Sequence, residues 1–154
     1  MKLTDYIDTR HVLLDVEVSE RDAVLRRIVE ALAATGALTE TEEPLRKLIE
    51  REEVMTTGIH PGIAVPHAYT PTAPKSVCAL ARVPGGAEFK SLDGGKVDLI
   101  FCLMGPREAT EHHVRLLARI ARLIELPGVV DDLKMAATTE SLITLLRAAE
   151  RRLP

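Results

Sequence analysis

No tryptophan occurs in the 154-residue chain, and aromatic residues make up only 3% of it. A core built from this composition has to be aliphatic. Cysteine is almost as scarce. Cys78 and Cys102 are the only two, CxxC spacing is absent, and a disulfide between them is the less favoured reading. Both lie in apolar runs and read as reduced, buried thiols of a cytoplasmic protein. No apolar run approaches the roughly 20 residues a membrane-spanning helix needs. The opening Met1-Lys2-Leu3-Thr4-Asp5 lacks the apolar stretch of a signal peptide. The net charge is -3 with no Lys/Arg block, which argues against nucleic-acid binding through the phosphate backbone. No GxxxxGK[ST] loop is present to cradle nucleotide phosphates.

Hydrophobic residues reach 46% and charged residues 28%, the balance of one globular domain over residues 1–154. Ser19-Glu20-Arg21-Asp22 resembles a capping box and predicts a helix over 19–35, with Val24, Ile28 and Leu32 at helical spacing and Gly36 as its stop. A second helix is predicted from Thr41 to about Glu52, with Leu45, Leu48 and Ile49 facing inward. Strands are predicted over 76–83 and 97–104, with a turn at Asp93-Gly94-Gly95 before the second. Three helices close the chain, over 110–126, 128–136 and 139–152. Helices at both ends and strands between them predict an α/β fold, a sheet sandwiched between helices.

Chemistry concentrates in Gly58-Ile59-His60-Pro61-Gly62-Ile63-Ala64-Val65-Pro66-His67-Ala68. Ile63, Ala64 and Val65 read as a short buried strand that Pro66, lacking an N–H, brings to an end. His67 is thereby delivered at the lip of a sheet. An imidazole with an ordinary pKa of about 6.5 is mostly neutral at physiological pH and attacks without a separate base. The plain alternative is a histidine that merely ends a strand.

His112 and His113 open the helix predicted at 110. At about 100° per residue, His113 falls on one stripe with Leu117, Ile120 and Ile124, the core face. His112 falls with Arg115, Arg119 and Arg122, read as a solvated face without function. The first turn of a helix also presents free N–H groups that favour an anion. His113 is therefore the second candidate site residue, with a partly buried structural histidine as its alternative. Arg51, at the end of the second predicted helix, carries a fork that matches phosphate oxygens, although a helix-end arginine is commonly just solvated. A metal site from His60, His67, His112 and His113, serving a hydrolase, is the competing chemistry. It is disfavoured because His112 and His113 face opposite ways and no HxxxH or HExxH spacing exists.

These segments resemble, in order and over nearly the whole chain, the IIA domains of the phosphoenolpyruvate-dependent phosphotransferase system. The likeness is to the fructose/mannitol class and especially its nitrogen-regulatory branch. It rests on Arg51-Glu52, on Thr57-Gly58-Ile59 leading to Gly62–His67, on the phrase from Phe89 to Phe101, and on His113-Val114-Arg115-Leu116-Leu117-Ala118. Ala68 stands where the family usually has glycine, and Pro61 replaces a more polar residue. The resemblance implies a mixed sheet of about five strands between helices and a phosphoryl acceptor at His67. It implies charge stabilisation by Arg51, a second active-site histidine at His113, and no metal or cofactor. Its implied partners are a histidine phosphocarrier protein upstream and either a regulatory target or a IIB protein downstream. With no IIB or membrane domain evident, a free-standing cytoplasmic carrier or regulator is expected. A binding module switched by phosphorylation, or one never phosphorylated, is the other class.

Overall fold

The computed structural model describes residues 1–154. Its framework is one antiparallel pair, β4 (Val77–Ala87) and β5 (Val97–Gly105). Two-residue β1 (Val12–Leu13) runs parallel to β4 on one side. On the other side β2 (Ile63–Ala64) and β3 (His67–Tyr69) run parallel to successive parts of β5, completing a five-stranded mixed sheet.

Side chains of a strand alternate between faces, and here both faces are covered. Ile100, Cys102 and Met104 of β5 join the cluster formed with α1 (Arg21–Ala34) and α2 (Glu42–Val54). Leu99, Phe101 and Leu103 join the cluster formed with α3 (Thr110–Glu125), α4 (Val129–Met135) and α5 (Thr139–Glu150). The predicted α/β sandwich is thus the observed one, and its core is almost wholly aliphatic. Cys78 and Cys102 are free and buried, in different clusters on opposite faces of the sheet. Burial pushes the Cys102 thiol up to about 12, so neither serves as a thiolate.

Several local expectations are corrected. The Ser19 capping box does not form: Glu20 is the N-cap of α1 and no side chain caps it, while Ser19 lies one residue outside the N-cap with its carbonyl accepting the N–H of Glu88. The reciprocal capping box lies at α5, where Thr138 and Ser141 satisfy each other's backbone N–H groups. The strand predicted to end at Val83 runs on to Ala87 through Pro84-Gly85-Gly86, with a register shift between Arg82 and Ala87. Gly86 makes that bulge feasible, since its φ is +76° and a Cβ would lie 2.9 Å from that of Lys96. Two 3-10 turns, Leu3–Tyr6 and Thr9–His11, precede β1.

Arg119 is also not on a solvated face. Its Nη2 lies 3.4 Å from Oε2 of Glu150, whose side chain is only 1% exposed and whose Oε1 accepts the Thr4 N–H at 2.9 Å. The end of α5 and the N-terminal turn together cover this arginine, which a projection of α3 alone does not reveal. Arg115 and Arg122 do face solvent. Arg82 fans out to the carbonyls of Leu14, Leu133, Lys134 and Ala136, tying the end of α4 to the sheet.

Candidate active site around His67 and His113

The strand leading to His67 is interrupted and then resumes. Pro66 lacks an N–H, yet its carbonyl still accepts from Leu103, so pairing with β5 recovers at His67 instead of ending there. Val65 lies outside both strands, and its carbonyl turns to His67 instead. His67 Nδ1 donates to that oxygen at 2.7 Å. A carbonyl only accepts, so the proton of the neutral ring sits on Nδ1 and the lone pair on Nε2. Burial is the main cause that lowers the His67 pKa below its ordinary value; the Val65 bond opposes it, Arg51 adds to it and Glu52 opposes it. The ring is therefore neutral at physiological pH, with the lone pair of Nε2 left free of the Val65 bond.

His113 comes to the same place from α3. Its ring centroid is 5.7 Å from that of His67, at 55° between planes. The residue is 2% exposed, and neither ring nitrogen has a hydrogen-bond partner. Desolvation, helped by His67, holds its pKa down at about 4. As expected, His112 points away: it is exposed, and its Nε2 shares a hydrogen bond of 3.2 Å with the Tyr6 hydroxyl. The inward stripe of α3 is centred slightly differently from the projection, on His113, Leu116, Ile120 and Leu123. Leu117 and Ile124 are half-buried and wall a cleft of about 270 Å³ beside His67.

That cleft is mainly apolar. Met55, Ile59, Ile63 and Val65 line its other side, and Arg51 and His60 reach it as well. Met55 and Ile59 are 54% and 65% exposed, an unusual display of apolar surface next to the His67 imidazole. Arg51 donates from Nη1 to the Met55 carbonyl at 2.9 Å, and its charge reaches His67 strongly enough to depress the pKa. The structure thus brings Arg51, His67 and His113 into one region. His60 lines the cleft at its edge, and no three His, Cys, Asp or Glu side chains converge in a manner suited to a metal. A larger cleft of about 420 Å³, by Tyr6, His11 and Lys75, contains none of the three predicted residues.

The loop between α2 and β2 is held from below by Glu52. This buried carboxylate accepts the Thr57 N–H at 3.1 Å and the Thr57 hydroxyl. Gly58 allows the loop to press on the segment before β5, since a Cβ there would meet Ser91 Oγ at 2.5 Å. Two further residues at the site escape the sequence reading. Tyr69 places its ring 4.4 Å from that of His113, and the Arg107 guanidinium lies 5.1 Å from the Tyr69 ring centroid. Alternation along β3 puts Tyr69 on the face of His67, a signal hidden as long as the strand is taken to stop at Pro66.

Known proteins resemble this chain in sequence and fold. The chain is 30% identical to the nitrogen regulatory protein of Pseudomonas aeruginosa, over 95% of each. It is 26% identical to the fructose-specific EIIABC component of Bacillus subtilis over 98% of this chain, but it spans only 24% of that relative's length. The crystal structure of nitrogen regulatory protein IIA-Ntr from Neisseria meningitidis superposes with a TM-score of 0.86 at 24% identity, covering 94% of this chain and 98% of the other. Residues 5–149 match the family described as phosphoenolpyruvate-dependent sugar phosphotransferase system, EIIA 2. A neutral, oriented imidazole where a broken strand resumes, a buried second imidazole beside it and a matching family over nearly the whole length lead to one conclusion: the chain belongs to the EIIA 2 family and is a phosphoryl-transfer component of that system.

Proposed function

We propose that His67 Nε2 accepts a phosphoryl group from a phosphohistidine on a small histidine phosphocarrier protein. The P–N bond to the carrier breaks as the P–Nε2 bond forms. The carrier imidazole leaves with its lone pair, and the proton of His67 stays on Nδ1, hydrogen-bonded to the Val65 carbonyl, throughout. The observation that carries this reading is the 2.7 Å bond from Nδ1 to Val65, which leaves Nε2 as the free nucleophile. Phosphoryl transfer passes through a loose transition state and depends mainly on positioning and on charge placed around the equatorial oxygens. Arg51 supplies that charge. His113, neutral and with both nitrogens free, donates an N–H to a phosphoryl oxygen. The exposed Met55 and Ile59 beside the cleft give a protein donor an apolar patch to sit on, within the cytoplasm where such carriers act.

The phosphate then serves regulation of nitrogen or general metabolism, a reading supported by the near full-length likeness to a nitrogen regulatory protein. The second reading, transfer to a separate IIB protein in sugar uptake, is favoured by the likeness to a fructose-specific EIIABC component.

The test is intact mass after incubation with phosphoenolpyruvate, enzyme I and the histidine phosphocarrier. One acid-labile phosphate is expected on the wild type and none on His67→Ala, which keeps its fold because His67 is only half-buried. Full labelling of His67→Ala would overturn the assignment, and no labelling of the wild type by cognate carriers would leave a module that acts by binding alone. Adding candidate IIB proteins then separates the two downstream readings by whether label leaves His67.

A further inference from the structure

Histidine rings at reactive sites are usually oriented by a hydrogen bond from one nitrogen, as His67 is by Val65. His113 has no such bond at either nitrogen, although it is buried. Its orientation must come from packing, and aromatic neighbours impose preferred geometries. The nearer neighbour is Tyr69, at 4.4 Å and 39° between ring planes; His67 is the more distant, at 5.7 Å.

We propose that Tyr69 is a positioning residue for phosphoryl transfer, its ring serving as the platform that fixes the His113 imidazole so that an N–H is aimed at the phosphoryl group on His67. This rests on the function proposed above for those two histidines. Tyr69 lies two residues beyond His67 in β3, so one three-residue strand carries the nucleophile and the platform on the same face. The contact between Tyr69 and His113 is ring to ring, and no protein group pairs with the Tyr69 hydroxyl, so the proposed role belongs to the ring. Arg107, in the turn leading into α3, sets its guanidinium over this ring and adds cation–π attraction. The platform is thereby tied to the connection that delivers His113.

The experiment compares phosphoryl-transfer rates of Tyr69→Phe, Tyr69→Leu, His113→Ala and the double variant Tyr69→Leu/His113→Ala, with Tyr69→Met replacing Leu should the latter fail to fold. Tyr69→Phe keeps the ring and stays within about twofold of wild type. Tyr69→Leu loses about tenfold or more, the scale expected when a catalytic group is misplaced. In the His113→Ala background the same substitution adds nothing, because the group it positions is gone. Ring protons of His113 carry a ring-current shift in NMR spectra that survives in Tyr69→Phe and disappears in Tyr69→Leu. An unchanged rate in Tyr69→Leu, or equal slowing with and without His113, would overturn the proposal. Failure of the wild type to take up phosphate would instead sink the parent reading, while the NMR signature still decides whether Tyr69 holds His113.

Discussion

Two buried carboxylates on opposite faces of the sheet are satisfied in opposite ways. Glu150, at the end of α5, meets a positive charge on Arg119 and a backbone N–H from Thr4. Glu52, near the end of α2, meets only the N–H and hydroxyl of Thr57, both neutral. The first charge is cancelled where it lies, and its work is to clamp the N-terminal turn, α3 and α5 together. The second is left uncancelled, and its field is felt at His67, whose pKa it raises, and at Cys102. Buried acid groups of nearly equal exposure therefore serve as a structural tie on one side and as part of the site's electrostatics on the other.

Glu150→Ala gives the largest effect expected. It strands a mostly buried Arg119, costing about 3 kcal/mol, or a fall of about 9 °C in Tm for a domain of this size. Phosphoryl transfer at permissive temperature stays unchanged; a parallel loss of rate would erase the contrast. Glu52→Ala leaves the Thr57 N–H without its partner and costs about 2 kcal/mol in urea unfolding, with slower transfer as the loop loosens. Glu52→Gln restores part of the stability. It also lowers the His67 pKa further, because the charge opposing its depression is gone; NMR titration of the ring reads this.

Arg51→Ala sharpens the same comparison from the other sign. It removes a cation that depresses His67, so the pKa rises, and transfer slows by about tenfold, equivalent to about 1.4 kcal/mol of transition-state stabilisation. Stability changes by less than about 0.5 kcal/mol, since the guanidinium is bonded only to the Met55 carbonyl. Smallest is the response to acid. His113 has a native pKa near 4 against about 6.5 unfolded, so the unfolded chain binds more protons within that window. Stability falls as pH drops through it, by about 1 kcal/mol between about pH 7 and 5.5. His113→Leu abolishes this component of the pH dependence.

The sequence carried much of this and hid the rest for identifiable reasons. The strong amphipathic pattern of α3 separates His113 from His112 because one helix, projected alone, decides which residue faces inward. The same projection fails for Arg119, since a second helix and the N-terminal turn cover what a single helix would expose. His67 is legible from the proline before it, but Tyr69 is not. The missing proline N–H suggests the end of a strand, whereas its carbonyl lets pairing resume. Arg51 is placed by its family motif and its position in α2, not by any local pattern. The letters of a capping box stand at Ser19, yet the box forms at Thr138, where the Ser141 hydroxyl at the third helical position accepts the N-cap N–H that Glu or Gln usually takes.

The interruption at Val65 and Pro66 has one more consequence. The sheet's outer strands are β1, two residues long, and the broken pair β2 and β3, of two and three residues, while the long β4 and β5 lie inside. A foreign strand seeking a ladder to extend finds only stubs, one of them crossed by a proline that offers no donor. The break that bends the Val65 carbonyl toward His67 thus also blunts the edge against strand-to-strand self-association.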